Sequence, residues 1–267
     1  MIFPPLQQAA PYFPGLSASS RRNINKPLRR SNLDITSLLQ SGCDSLGIPI
    51  TLEQLNKFQL YCDFLLEYNK MVNLTAVTQP AEIVEKHFLD SIYPLSQDLI
   101  DANARCADVG TGAGFPGVPL AIMRPHLHFT LIDSQKKRLV FLQQLFEIIQ
   151  IKNCSLVHSR AEDAGRSLRE SFDCVLTRAV ARMGVLSELC LPLIRPGGTL
   201  VCYKGPDVQN ELNGCEIPLK RLGGAPPKAL ECTGLKNSHK LIIIRKISHT
   251  PPSFPRKAGI PAKNPLF

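Results

Sequence analysis

Acidic residues are missing from both ends of this chain. None falls in residues 1–33, which hold five Lys and Arg, and none in residues 232–267, which hold seven. The interior, residues 34–231, carries 19 basic and 22 acidic residues, so the net charge of +9 resides in the two ends. Basic arms beside a nearly neutral globule fit a polyanionic partner, nucleic acid first, with a solubilising tail as the alternative. Long apolar runs are equally scarce. Leu241 to Ile244 is as long as any, far short of the roughly 18 residues of a membrane span, so no membrane role is expected. The nine cysteines lie scattered from Cys43 to Cys232 without a C-x-x-C pair, which excludes a zinc knuckle and a disulfide framework and fits a reducing compartment. His126 and His128 have no Cys or acid at ligand spacing, so no metal is expected. No Walker A run occurs, which removes nucleotide hydrolysis. The Ser-, Arg- and Pro-rich start has no secretory apolar core. It reads as a disordered basic extension over residues 1–33, with a transit peptide as the alternative; the location expected is cytoplasmic, or organellar in that alternative.

What is present begins with helical periodicity over residues 34–100. Leu55, Phe58, Leu60, Tyr61, Phe64, Leu65 and Tyr68 recur at spacings of three and four, and Thr51 stands three residues before Gln54 as in a capping box. A helical cap is predicted there. Over residues 101–248, short β-branched runs alternate with helical stretches, the fourth helix running to Ile194. Five such units in succession predict a doubly wound α/β sheet with ligands at the carboxyl ends of its strands. Leu241 to Arg245 adds a late strand with no helix after it, as an antiparallel edge or insertion. Pro251, Pro252, Pro255, Pro261 and Pro265 predict an extended basic strap over residues 249–267.

The run Ala107 to Gly117, ADVGTGAGFPG, reads in two ways. From Gly112 it fits the dinucleotide fingerprint; from Asp108 it reads acid-x-G-x-G-x-G. Both cofactors need glycines where strand turns to helix. The acid discriminates, because Asp108 would repel a pyrophosphate and favour a ligand bearing an ammonium and a sulfonium. That ligand is S-adenosylmethionine. Asp133 ends the second strand 21 residues after Gly112, where a carboxylate bonds adenosine ribose hydroxyls in either cofactor class; capping the next helix is its plainer use. Beyond the third strand lies Ser159-Arg-Ala161-Glu162-Asp163, where a backbone N–H and a carboxylate could reach the adenine edge.

The runs ADVGTGAGFPGVPLAI, LIDSQKKRLVFL, SRAED, FDCVLTRAVA, LPLIRPGGTLVCYKG and FPRKAGIPAKNPL, with YNKMVNLTAVT and EKHFLDSIYPL before them, resemble the RsmG (GidB) family. The resemblance spans about residues 46–267. It implies a class I S-adenosylmethionine-dependent methyltransferase with a mostly parallel seven-stranded sheet and an N-terminal helical cap. It also implies methyl transfer to guanine N7 of 16S ribosomal RNA, with that RNA or the small ribosomal subunit as partner. A monomer is expected. Cofactor contacts then fall on Gly110, Phe115, Asp133, Ser134, Gln135, Ala161, Glu162 and Arg178, beside Asp108 and Gly112 from the loop reading.

Guanine N7 offers a free lone pair, so no general base is required and no catalytic residue is assigned. Arg178 is expected to hold the methionine carboxylate or an RNA phosphate, with a surface salt bridge as the alternative. Lys136, Lys137 and Arg138 open a helix whose dipole they oppose, which suits RNA phosphates; Lys204, Arg256, Lys257 and Lys263 extend that basic rim. His87, Asp90 and Ser91 share one helix face, where a packing and hydrogen-bonding role outweighs a hydrolytic trio. A methyltransferase on another RNA, a protein or a small molecule, an NAD-linked oxidoreductase and a non-catalytic RNA-binding assembly factor are the competing readings.

Overall fold

The computed structural model describes residues 34–178, 181–235 and 239–267; residues 1–33 and the role expected of them lie outside it. Helices α1 (Thr36–Ser45) and α2 (Leu52–Asn69) come first. A composite α3 follows, α-helical at Pro80–Ile83, π-helical at Val84–Leu89 and α-helical again at Asp90–Ile92. The Thr51 hydroxyl accepts from Gln54 N at 3.2 Å while Gln54 Oε1 accepts from Thr51 N at 2.8 Å, the reciprocal bonds that fix where α2 starts.

Then come β1 (Arg105–Val109), α4 (Gly117–Met123), β2 (His128–Asp133), α5 (Lys136–Ile149), β3 (Cys154–His158), α6 (Ala161–Ser167), β4 (Phe172–Arg178), α7 (Met183–Cys190) and β5 (Ile194–Lys204). The chain closes with α8 (Glu216–Arg221), β6 (Lys228–Glu231), β7 (Lys240–Arg245) and a short α9 (Ile260–Lys263). The seven-stranded sheet runs β3-β2-β1-β4-β5-β7-β6. Its first five strands are parallel, and β7 runs antiparallel to both neighbours. The strand order reverses between β1 and β4, which opens a crevice at their carboxyl ends.

Of the two places expected for the late strand at 241–245, it takes the insertion, antiparallel between β5 and β6. Two other expectations are corrected. The helix predicted to reach Ile194 stops at Cys190, because Pro192 sits in a 3₁₀ turn, Leu191–Leu193, and Ile194 already pairs with Phe172. The strap is not extended throughout: Pro261 is accommodated at the start of the short helix α9, and the strap is pinned, Arg169 donating to the carbonyls of Phe254 at 2.8 Å and Pro251 at 2.9 Å and Gly259 N donating to Glu162 Oε1 at 2.9 Å.

Alternate side chains of each buried strand face two cores. Cys106, Leu131, Leu176 and Val201 join α1 to α5 on one face, while Ala107, Ile132, Val175 and Leu200 join α6 to α8 on the other. The first face is tied to α2 by Phe64 stacked on Phe141 at 5.2 Å and Tyr61 stacked on Phe115 at 5.3 Å. Among the described residues no helix is long and apolar enough to cross a membrane, and no group of three or more His, Cys, Asp or Glu could hold a metal ion.

Candidate active site

Where β1 ends, the chain must turn sharply and still present its amides. Gly110, Gly112 and Gly114 have φ of +73°, +60° and +102°, conformations that side chains resist. Gly110 N donates to Ile132 O at 2.9 Å, hooking the loop to β2. Beneath it lies Asp108, fully buried, whose Oδ2 accepts from Thr111 Oγ1 at 2.7 Å and Gly117 N at 2.9 Å. Burial lifts this carboxyl to about 6. A Cβ at Gly117 would stand 2.8 Å from Asp108 Oδ2, so the helix start and the acid fit only with glycine there.

Asp133, at the end of β2, is the junction of the next wall. Its Oδ1 accepts from Gln135 N at 2.8 Å, and its Oδ2 accepts from Gly112 N at 3.0 Å and Arg138 Nη1 at 3.2 Å. Oδ1 has capacity for a further bond, and Asp133 lines the cleft. The cleft has a volume of about 720 Å³, within the range of small-molecule sites.

The helical segment supplies the third wall. Asn69 Oδ1 accepts from Leu74 N at 2.7 Å and Thr75 N at 3.1 Å, holding a loop that lines the cleft. Thr75 Oγ1 meets His87 Nε2 at 2.8 Å, and the His87 ring packs on Phe115 at 4.6 Å. Arg178, at the end of β4, stands 5.0 Å over the same Phe115 ring and bonds Asp90 Oδ2 at 3.0 Å, Lys86 O at 3.1 Å and His87 Nδ1 at 3.1 Å. His87 Nδ1 also lies 3.0 Å from Lys86 O, so the ring is held at Nδ1 between a guanidinium and a carbonyl and at Nε2 by the Thr75 hydroxyl.

Burial and the adjacent Arg178 charge lower the His87 imidazole to about 4. The unfolded ring binds protons below about 6.5 and the folded ring below about 4, so its stabilising contribution is complete above 6.5 and is lost as pH falls toward 4. The melting-temperature advantage of the native chain over His87→Gln is therefore expected to shrink from neutral pH to about pH 5. Asp108 titrates in the same window but is common to both proteins and cancels. An advantage that is constant with pH contradicts a neutral His87.

Of the residues assigned to the cofactor from sequence, Gly110, Gly112, Phe115, Asp133, Ser134, Ala161, Glu162 and Arg178 all line this cleft. Asp108 does not; it sits under the loop, so direct contact with a ligand's cationic groups is replaced by shaping of the turn. Gln135 is absent from the lining and contributes its N–H to Asp133. The basic rim divides. Lys136, Lys137, Lys257 and Lys263 are exposed. Lys204 is instead bonded to Glu211 at 2.7 Å, Arg256 is forked onto the buried Glu188 at 2.6–3.1 Å, and Arg138 is bonded to Asp133. Those three are thus engaged in ion pairs within the protein, unlike the four exposed lysines. Ser159 and Arg160, in the stretch singled out beyond the third strand, line the cleft as well. Leu74, Thr75 and His87 reach it through tertiary packing alone.

A family model described as rRNA small subunit methyltransferase G, GidB, matches residues 54–237. Ribosomal RNA small subunit methyltransferase G of Clostridium perfringens is 44% identical over 233 residues, covering 86% of this chain and 98% of that protein. Its namesake in Bacillus subtilis is 42% identical over 231 residues, covering 85% and 96%. Among solved structures, the tRNA (m1A58) methyltransferase TrmI from Aquifex aeolicus aligns with a TM-score of 0.48 and 14% identity over 60% of this chain and 68% of that one. This chain belongs to the GidB family, that of rRNA small subunit methyltransferase G.

Proposed function

We propose that this protein transfers a methyl group from S-adenosylmethionine to N7 of a guanine in 16S ribosomal RNA. The observation that carries the reading is a likeness of over 40% identity to proteins named for small-subunit ribosomal RNA methylation, across nearly their whole length. The residues present suit the donor. Gly112 leaves its wall open, a Cβ there meeting nothing nearer than Gly110 O at 3.9 Å, and Asp133 offers an oxygen for ribose hydroxyls. Gly110, Phe115, Ser134, Ala161 and Glu162 would complete the adenosine pocket, with Arg178 behind Phe115.

When bound, S-adenosylmethionine supplies an electrophilic methyl on a sulfonium. The chain's own task is alignment. Guanine N7 attacks with a lone pair that carries no proton, so orientation at near-attack distance can supply roughly 7–11 kcal/mol without a base. The neutral His87 agrees with that economy: both its ring nitrogens are engaged, by Thr75 and Arg178, and its place is to support Phe115. Lys136 and Lys137 open α5 next to Ser134 and Arg138 in the cleft wall, so RNA phosphates held there would bring a base to its mouth. Lys257 and Lys263 lie on the strap that Gly259 ties to α6, beside the same opening.

Incubation of small subunits lacking the modification with tritiated S-adenosylmethionine is expected to label 16S RNA, and aniline treatment to cut the labelled RNA at one guanine. Label appearing in protein, or in no macromolecule, would overturn the proposal.

A further inference from the structure

The cleft and a second cavity of about 370 Å³ share a partition, because His87 and Arg178 line both. Arg178 is 13% exposed, and its positive charge is permanent. A bare guanidinium in this wall would oppose a sulfonium in the cleft. It would go on opposing the reaction, since methyl transfer moves the positive charge from sulfur to the purine without removing it. Yet Arg178 is also a brace: it ties the end of β4 to Lys86 O, His87 and Asp90 of α3 and covers Phe115. Asp90 is fully buried, bonds Arg178 at 3.0 Å and turns its other oxygen to His239 Nδ1 at 2.8 Å.

We infer that Asp90 is the counter-ion that lets Arg178 brace the cleft without repelling a cationic methyl donor. A carboxylate bonded to a guanidinium presents a dipole, whose field dies away faster than that of an isolated charge. The surrounding groups preserve the balance. His87 is neutral. Lys86 and Lys204, at the second cavity, are paired with Glu82 and Glu211. His239, which the Asp90 bond raises toward protonation, is 35% exposed and therefore screened by water. Asp108, buried under the glycine loop and bonded to Thr111 and Gly117, also feels the Arg178 charge, which favours its carboxylate against the larger lift from burial.

The inference rests on the cleft holding S-adenosylmethionine, and its test compares that cation with the neutral product S-adenosylhomocysteine by calorimetry. In Asp90→Asn the affinity for S-adenosylmethionine is expected to fall about tenfold further than that for S-adenosylhomocysteine. Arg178→Gln, which leaves the anion alone, shifts the ratio the opposite way, and the double variant Asp90→Asn, Arg178→Gln returns it to within about twofold of the native value. His239→Gln leaves the ratio unchanged. A merely structural strut would weaken both ligands together. Equal losses in Asp90→Asn, or a ratio in Arg178→Gln that does not move, overturn the assignment; should Asp90→Asn fail to fold, Arg178→Gln alone decides it. If the native chain binds neither ligand, it is the proposed methyltransferase function that falls.

Discussion

Asp133→Ala is expected to bind S-adenosylhomocysteine about 100-fold more weakly than the native chain. The estimate follows from two losses. The carboxylate's own bonds to ribose hydroxyls, each about 1.5–3 kcal/mol for a charged acceptor, disappear, and about 2.7 kcal/mol amounts to two decades. Asp133 also holds Gly112 N and Gln135 N, so both lips of the cleft loosen at once. Asp133→Asn keeps one acceptor oxygen and should fall between the two. The readout is calorimetric, with circular dichroism to show that the sheet persists. An unchanged affinity in the alanine variant removes Asp133 from the ligand and leaves it the role of joining loop to helix.

The prominence of Asp133 was visible in the sequence for a physical reason. A strand that ends in an acid, a fixed distance after a glycine-rich turn, is a local pattern, and neighbouring parallel strands bring its parts together almost automatically. The capping box at Thr51 and the alternation of strands and helices are local in the same sense. What escaped prediction depends on partners far away in sequence. Arg256 reads as a free cation in a basic tail, but its partner Glu188 lies 68 residues earlier and is buried. Lys204 is claimed by Glu211 across a 3₁₀ turn. Even Asp108, one residue before the end of β1, gave no sign in the sequence that its side chain lies beneath the loop; only burial shows that.

Strand β6 was missed for a different reason. Its four residues, Lys228 to Glu231, have no alternation of apolar and polar side chains and are mostly exposed. Pairing with β7 alone makes it a strand. The opposite case is β5, whose Arg195-Pro-Gly-Gly start looks like a turn, yet the strand runs through it with a shift of register against β4. The irregular backbone absorbs the proline that a regular interior strand would reject.

The glycines of the loop provide the sharpest separation between folding and binding. In Gly114→Ala, the new Cβ would lie 2.7 Å from Val118 Cγ2, 2.8 Å from the Tyr61 hydroxyl and 2.9 Å from Leu142 Cδ2, on a backbone with φ of +102°. None of these neighbours can yield cheaply. Tyr61 is fully buried, donates to Ala113 O at 2.5 Å and stacks on Phe115. Backbone strain and overpacking each cost about 1–3 kcal/mol, so a loss of about 3 kcal/mol is expected. For a domain of this size that lowers the melting temperature by about 10 °C. Gly112→Ala differs in kind. Its φ of +60° lies in the left-handed helical region, which alanine enters for about 1–2 kcal/mol, and its Cβ meets only Gly110 O at 3.9 Å. It projects into the open cleft, so it should cost affinity for S-adenosylhomocysteine while leaving the melting temperature within a few degrees. The two variants are thus expected to fail in opposite assays: Gly114→Ala in thermal unfolding, Gly112→Ala in calorimetry. If Gly114→Ala melts with the native chain, the contact between Tyr61 and the loop is not what clamps the helical cap to the sheet.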